Sequence, residues 1–513
     1  MSSASTPTRA GGPDPAQQAG GPDPAHPGGP SGSAGSTRPQ ESFASGARIL
    51  SIGIASTGIF TFLYLAVASN VLHPAEYSRI SLCWAIMFVI LSVIYRPIEQ
   101  LLSRTIADRR ARGLHGHPLR VPAAIQFGFA VLFLIVALVL RDQIQQGMFD
   151  GSAILYWILV IGVLAYAGSY FARGWLAGHQ RFALYGGLVF LESTSRFLFP
   201  LAVAVGIAGG QGAVGLGMAV APFASLSVMP FAFRRIRGGV TAAEAVEAEA
   251  PAATEPDAVI AADAAGAGEG PVQTQLDEAS SELTMRHGAG FAVSVVGIMF
   301  SEQMLMNAGV LIVAAKTSGA SLTTGIVGFV FNVMLIVRAP LQLFQAIQTS
   351  ILPHLAGLEA RESPDEFHKA IRTTVLIIAA FGAAVALGLL AIGPPVMTAL
   401  LGSKGYTYGR LGLAAVGLGM GLHLISGTLN QAALARGRAA AAATAWLISA
   451  GLFVAFVATG SGTQYDEVTR VEVGYLGATA VLTLLLWLLY RRGPAASPTS
   501  PAAPSARLAP SAR

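Results

Sequence analysis

Residues 81–112 read SLCWAIMFVILSVIYRPIEQLLSRTIADRRAR. An uncharged apolar run meets Arg96-Pro97-Ile98-Glu99-Gln100 and leaves through a basic cluster. The plan recurs at 328–361, GFVFNVMLIVRAPLQLFQAIQTSILPHLAGLEAR, where the apolar run meets Arg338-Ala339-Pro340-Leu341-Gln342. Soluble helices do not carry this pattern. It fits a membrane helix that lines a polar cavity, written twice by duplication of the chain.

The flanking composition agrees. Of 513 residues 53% are hydrophobic and 12% charged, about half the charged fraction of a soluble protein. The basic residues recur between apolar segments instead of forming one patch, which argues against nucleic acid as a partner. Cys83, the single cysteine, excludes an internal disulfide. The first 45 residues, with GGPDPA written twice, contain no apolar core of a signal peptide. They and residues 493–513 read as disordered tails, and the acidic, Ala-rich stretch 238–286 reads as a cytoplasmic linker.

Twelve apolar segments lie between these breaks, near 48–70, 79–100, 121–140, 153–173, 183–207, 213–233, 288–314, 324–348, 371–392, 411–433, 440–460 and 473–490. Each approaches the ~20 residues a helix needs to span hydrocarbon. Backbone groups there can bond only to themselves, so the fold class is all-α and integral to the membrane. Six segments precede the linker and six follow, giving an N-lobe (46–237) and a C-lobe (287–492) of six helices each, related by a pseudo-twofold along the membrane normal. With the N-terminus in the cytoplasm, inner loops hold eighteen basic residues and outer loops six. Both termini are therefore expected in the cytoplasm.

Two further stretches match between the halves. Leu176-Ala177-Gly178-His179-Gln180-Arg181-Phe182-Ala183 joins the fourth and fifth segments. Leu434-Ala435-Arg436-Gly437-Arg438-Ala439 joins the tenth and eleventh.

Asn70–Ser78, NVLHPAEYS, resembles the "LGPEEYG" turn of the Wzx-like polysaccharide-biosynthesis flippases, in the multidrug/oligosaccharidyl-lipid/polysaccharide exporter superfamily. Leu176–Phe182 resembles that family's "LQGLGRF" turn, and the resemblance covers about residues 46–492. It implies two six-helix bundles around a central cavity in a bacterial cytoplasmic membrane. It also implies transfer of an undecaprenyl-diphosphate-linked oligosaccharide to the outer leaflet, beside glycosyltransferases and a polysaccharide polymerase.

Ionisable residues inside the spans are few. Arg96 and Arg338 lie on pseudo-equivalent helices, and two guanidinium groups suit a diphosphate clamped from both lobes. Snorkelling to the interface fits the same two positions. Pro97 and Pro340 each free a carbonyl and favour a kink beside the arginine. Glu192 and Arg196 share one face of the fifth segment, as a structural ion pair or as a cavity-lining pair in which Glu192 takes a proton. Glu302 has no charged neighbour within a turn, which suits ion coupling or a hydrogen-bonded structural role. Asn307, Asn332, Gln342, His423 and Asn430 are cavity-lining candidates, a mid-helix His being more often a packing residue.

There is no Walker A pattern and no Cys/His metal spacing, so neither a cofactor nor an enzymatic activity is expected, and transport should be driven by an ion or the membrane potential. Within the superfamily, a lipid II flippase and a drug/cation antiporter remain alternatives. A membrane scaffold for glycosyltransferases is the alternative from another class.

Overall fold

A computed structural model describes residues 38–111, 119–232, 271–317, 325–338, 340, 341, 344, 364–403, 405–460 and 464–492. Residues 1–37, 493–513 and most of the expected linker (238–270) lie outside this set. By its contacts the chain divides into residues 1–44 and 45–513; the architecture below is that of the second unit.

Every regular element among the described residues is helical. The first half contains α1 (Arg38–Val71), α2 (Pro74–Ile90), α3 (Arg96–Ala111), α4 (Arg120–Val139), α5 (Arg141–Gly147), α6 (Ala153–Gly178), α7 (Phe182–Ala204) and α8 (Gly210–Leu226). The second contains α9 (Pro271–Lys316) and α10 (Ile326–Arg338). It continues with α11 (Pro364–Leu401), α12 (Arg410–Ala435), α13 (Ala439–Ala458) and α14 (Gln464–Arg491). Among the described residues ten helices are long and apolar enough to cross a membrane. The first and eighth expected segments are represented by the shorter apolar helices Ala55–Val71 and Ile326–Arg338. Helix α9 begins at Pro271, inside the stretch read as linker. Its first turns contain Gln, Glu, Leu and Met, which are good helix formers.

The outward faces are those of a membrane protein. On α4, Phe127, Leu132, Ile135 and Val139 are exposed, and on α11, Leu376, Ile377, Leu387 and Ile392. Hydrocarbon is the solvent in which such faces cost nothing. Small residues bring helices together where no hydrophobic force would. A Cβ placed on Gly382 of α11 would lie 2.7 Å from the Cα of Gly421 on α12.

Helices pack chiefly within their own half of the sequence. In the first half α6 contacts α3 and α8, and α7 packs on α8; in the second α12 lies between α11 and α14, and α13 packs on α9 and α14. Helix α9 crosses to touch α2 and α3 of the first half.

The two matching turns close alike. After α6, Gln180 takes φ +56° and the Arg181 amide reaches the Leu176 carbonyl at 2.8 Å. After α12, Gly437 takes φ +70° and the Arg438 amide reaches the Ala433 carbonyl at 2.9 Å. Such left-handed closure satisfies the last carbonyls of a helix.

Ahead of Arg96 the helix continues without a break. Leu91–Tyr95 widens into one π-helical turn, and the Arg96 amide bonds to the Leu91 carbonyl. Pro97 has no amide hydrogen to give, and one extra residue in the turn absorbs that deficit. Through it α2 and α3 form one span, Pro74–Ile106.

Candidate functional site

Three buried polar groups stand out, one in each half and one between them.

In the first half, Glu192 on α7 is the centre. Its carboxylate accepts from Arg173 of α6 at 2.5 Å and from Arg196, one turn along α7, at 3.0 Å. Ser169 donates to the same carboxylate at 3.0 Å and touches Ser225 at 3.2 Å. Arg196 donates to Tyr166 at 2.5 Å, and its guanidinium stacks 5.1 Å from the Trp84 ring. Arg173 stands 4.6 Å from the Tyr170 ring. Nearby, Tyr185 donates to Glu99 at 2.6 Å. Arg96 is half-buried and interacts electrostatically with Glu99 and Tyr185. Three arginines against two glutamates leave this group one positive charge in excess.

In the second half, Arg338 closes α10. It is 8% exposed, and its guanidinium donates to Asn307 Oδ1 at 2.7 Å and to the Met306 carbonyl at 3.2 Å. Asn307 in turn donates to Gln303 Oε1 at 3.1 Å. The guanidinium carbon lies 4.7 Å from the Phe331 ring. No carboxylate pairs with Arg338 among the described residues, and its Nε is buried with no acceptor. A buried cation without a counter-charge is expensive to hold.

Between the halves lies a knot of uncharged groups. Tyr77, at the start of α2, donates to Asn332 Oδ1 at 2.5 Å. The Asn332 amide donates to Ser69 at 3.2 Å and to Tyr408 at 3.4 Å. Ser69 donates to the Leu401 carbonyl, Asn70 to the Leu400 carbonyl at 2.8 Å, and the Gly328 amide to Ser78 at 3.1 Å. Close packing of Tyr77 against Gly328 permits this: a Cβ there would lie 2.6 Å from the Tyr77 ring. Tyr408 donates to the Gly402 carbonyl at 2.9 Å, and burial pushes its phenol up to about 12, so it stays neutral at any physiological pH.

The sequence-nominated residues therefore separate. Arg96, Glu192 and Arg196 belong to the first-half group and Arg338 to the second. Among the described residues the neighbours of Arg96 and those of Arg338 share no member. Asn332, fully buried, belongs to the knot. Glu302 is half-buried on α9 and lies in electrostatic range of Tyr475 on α14. His423 bonds Tyr475 at 2.9 Å, and Asn430 accepts from Trp446 at 3.1 Å, both within the packing of α12, α13 and α14. Gln342 lies outside the described residues. Arg173, Tyr166 and Tyr77 are not among the residues the sequence nominates.

No family model matches the sequence, and no curated protein matches it significantly. Solved structures do match. One is an outward-facing multidrug resistance MATE family transporter of the MOP superfamily, 13% identical, with TM-score 0.55, covering 88% of this chain and 95% of that one. Its inward-facing counterpart is 12% identical, with TM-score 0.52, covering 87% and 94%. The Vibrio cholerae MATE transporter VcmN in the bent form is 14% identical, with TM-score 0.50, covering 88% and 98%. The chain has a MATE-like transporter fold and is a multi-pass membrane protein.

Proposed function

We propose that the chain is a flippase for a lipid-linked oligosaccharide, carried on undecaprenyl diphosphate across a bacterial cytoplasmic membrane for cell-surface polysaccharide synthesis. On this reading twelve spans form two six-helix bundles, with both termini in the cytoplasm. Membrane lipids flank the substrate's tail, and glycosyltransferases and a polymerase act before and after. One observation carries the reading: Arg338, a buried guanidinium with no carboxylate partner among the described residues and one donor free of any acceptor. An anionic headgroup supplies what that site lacks. The excess positive charge around Arg96 and Arg173 gives the opposite half the same preference. The diphosphate enters the polar interior while the lipid tail stays in hydrocarbon, and rocking of the two halves carries it across.

The test is reconstitution of the purified chain with a fluorescent lipid-linked oligosaccharide, reading its arrival in the far leaflet with an impermeant quencher. Wild-type protein should move the label, and Arg338→Gln should slow it by about 10-fold or more, the worth of a charged hydrogen bond of ~1.5–3 kcal/mol. Absence of wild-type transfer overturns the reading.

A second reading, a drug/cation antiporter, draws on the solved structures of multidrug transporters that share the fold. Against it, Glu192, the best-placed carboxylate of the first half, is neutralised by two arginines. Uptake of an organic cation driven by an imposed pH gradient, with no movement of the lipid-linked sugar, decides for it.

A further inference from the structure

Helices α12 and α14 run in the same direction, and their contacts form a ladder. Ser426 meets Thr483 at 2.9 Å, and Thr483 donates to the Leu422 carbonyl at 3.1 Å. His423 meets Tyr475 at 2.9 Å, where Gly419 lets the Tyr475 ring approach. Each of these rungs is hydrogen-bonded. The next rung is Glu472 against Gly412, and it differs.

Glu472 is 6% exposed. Among the described residues it has no hydrogen bond and no ion pair. Its carboxylate lies flat on the backbone of α12: a Cβ on Gly412 would fall 1.9 Å from Glu472 Oε2. The charged and titratable groups on the surrounding helices are otherwise engaged or turned away. On α14, Glu467 pairs with Lys316 of α9 at 3.0 Å, and Asp466 is exposed. Arg470 packs on Gly460 and the Phe456 ring, on the α13 side. On α12, Arg410 is exposed at the helix start and His423 is held by Tyr475. Glu302 of α9 lies by Tyr475, a turn further in, and α13 carries no charged residue. Among the described residues nothing balances an ionised Glu472 in this packing. The neutral acid needs no such balance.

We infer that Glu472 is a proton-binding site that couples proton uptake to the packing of α12 on α14. The carboxylate takes one proton from the aqueous phase at the end of the helices that bears residues 402–410, forming a single O–H bond. It returns that proton to water when α12 and α14 part and the group becomes hydrated. Glu192, saturated by two arginines, cannot trade a proton in this way without stranding them. The inference does not depend on which molecule is transported, because proton binding is read without substrate.

Infrared difference spectra of the full chain in lipid nanodiscs, recorded against pH, test it. Wild type should show the carbonyl stretch of a buried carboxylic acid, and Glu472→Gln should lose it. Glu302→Gln should keep it. Spin labels on α12 and α14 should report a distance that changes with pH in wild type and is fixed in Glu472→Gln. If Glu472→Gln does not fold, Glu472→Asp serves: it should keep the carbonyl band at a shifted frequency. An undiminished band in Glu472→Gln, a band unaltered in Glu472→Asp, or a pH-dependent distance that survives Glu472→Gln overturns the assignment.

Discussion

The Tyr77 hydroxyl and the Asn332 amide oxygen, 255 positions apart, meet at 2.5 Å where the two halves of the chain touch. Around them Ser69, Ser78, Tyr408 and the end of α11 complete a polar knot. If the halves rock, the bonds made by Ser69, Asn70, Tyr77 and Ser78 must break, because each joins one half to the other.

Asn332→Ala should therefore favour the conformation in which the knot is open. The change removes interhalf bonds worth ~1 kcal/mol each and strands the Tyr77 hydroxyl, so a shift of about 5- to 30-fold is expected. Ser403→Cys beside the knot reports it by its labelling rate. Cys83, the only native cysteine, is fully buried and should stay silent.

Glu192→Gln should destabilise the protein more than any other single change in the first half. It leaves Arg173 and Arg196 side by side without their shared carboxylate. Breaking a buried pair costs about 3–5 kcal/mol. A lowered unfolding midpoint in detergent, partly rescued by adding Arg173→Gln, is the expected result.

Arg338→Lys should not rescue transport lost in Arg338→Gln. An ammonium keeps the charge but cannot reach Asn307 and the Met306 carbonyl while offering a further donor to a headgroup in the same plane. Transfer rates of the lipid-linked sugar in the three proteins decide.

Gly421→Val should loosen α11 from α12. The Gly382 backbone lies where the new side chain would go, and its Cα would be 2.9 Å from even a Cβ there. Overpacking of this kind costs about 1–3 kcal/mol. The unfolding midpoint should fall, and Gly388→Val, whose site is open, should leave it unchanged.

Much of this was legible in the residues. Apolar length placed the helices, and charge between them marked the breaks. The Leu176 and Leu434 turns were recognisable as a pair because both stretches are short, basic and Gly-containing. The four-residue spacing of Glu192 and Arg196 also showed itself, since helix geometry alone brings them together. What lay hidden was contact between distant segments. Arg173 looks like a loop charge until α6 is laid beside α7. Asn332 reads as a cavity residue until Tyr77 is found across from it. Glu472 sits six residues past Asp466 and passes for part of the same polar end; only the packing on Gly412 shows that it is buried.

The knot around Tyr77 has one more consequence. Every group in it is uncharged, so neither added salt nor the transmembrane voltage exerts a direct pull on it. Its release has to be driven mechanically, by helices that shift elsewhere. A screen for compounds that freeze the protein would do well to aim at this latch, where a small neutral molecule competes only with hydrogen bonds.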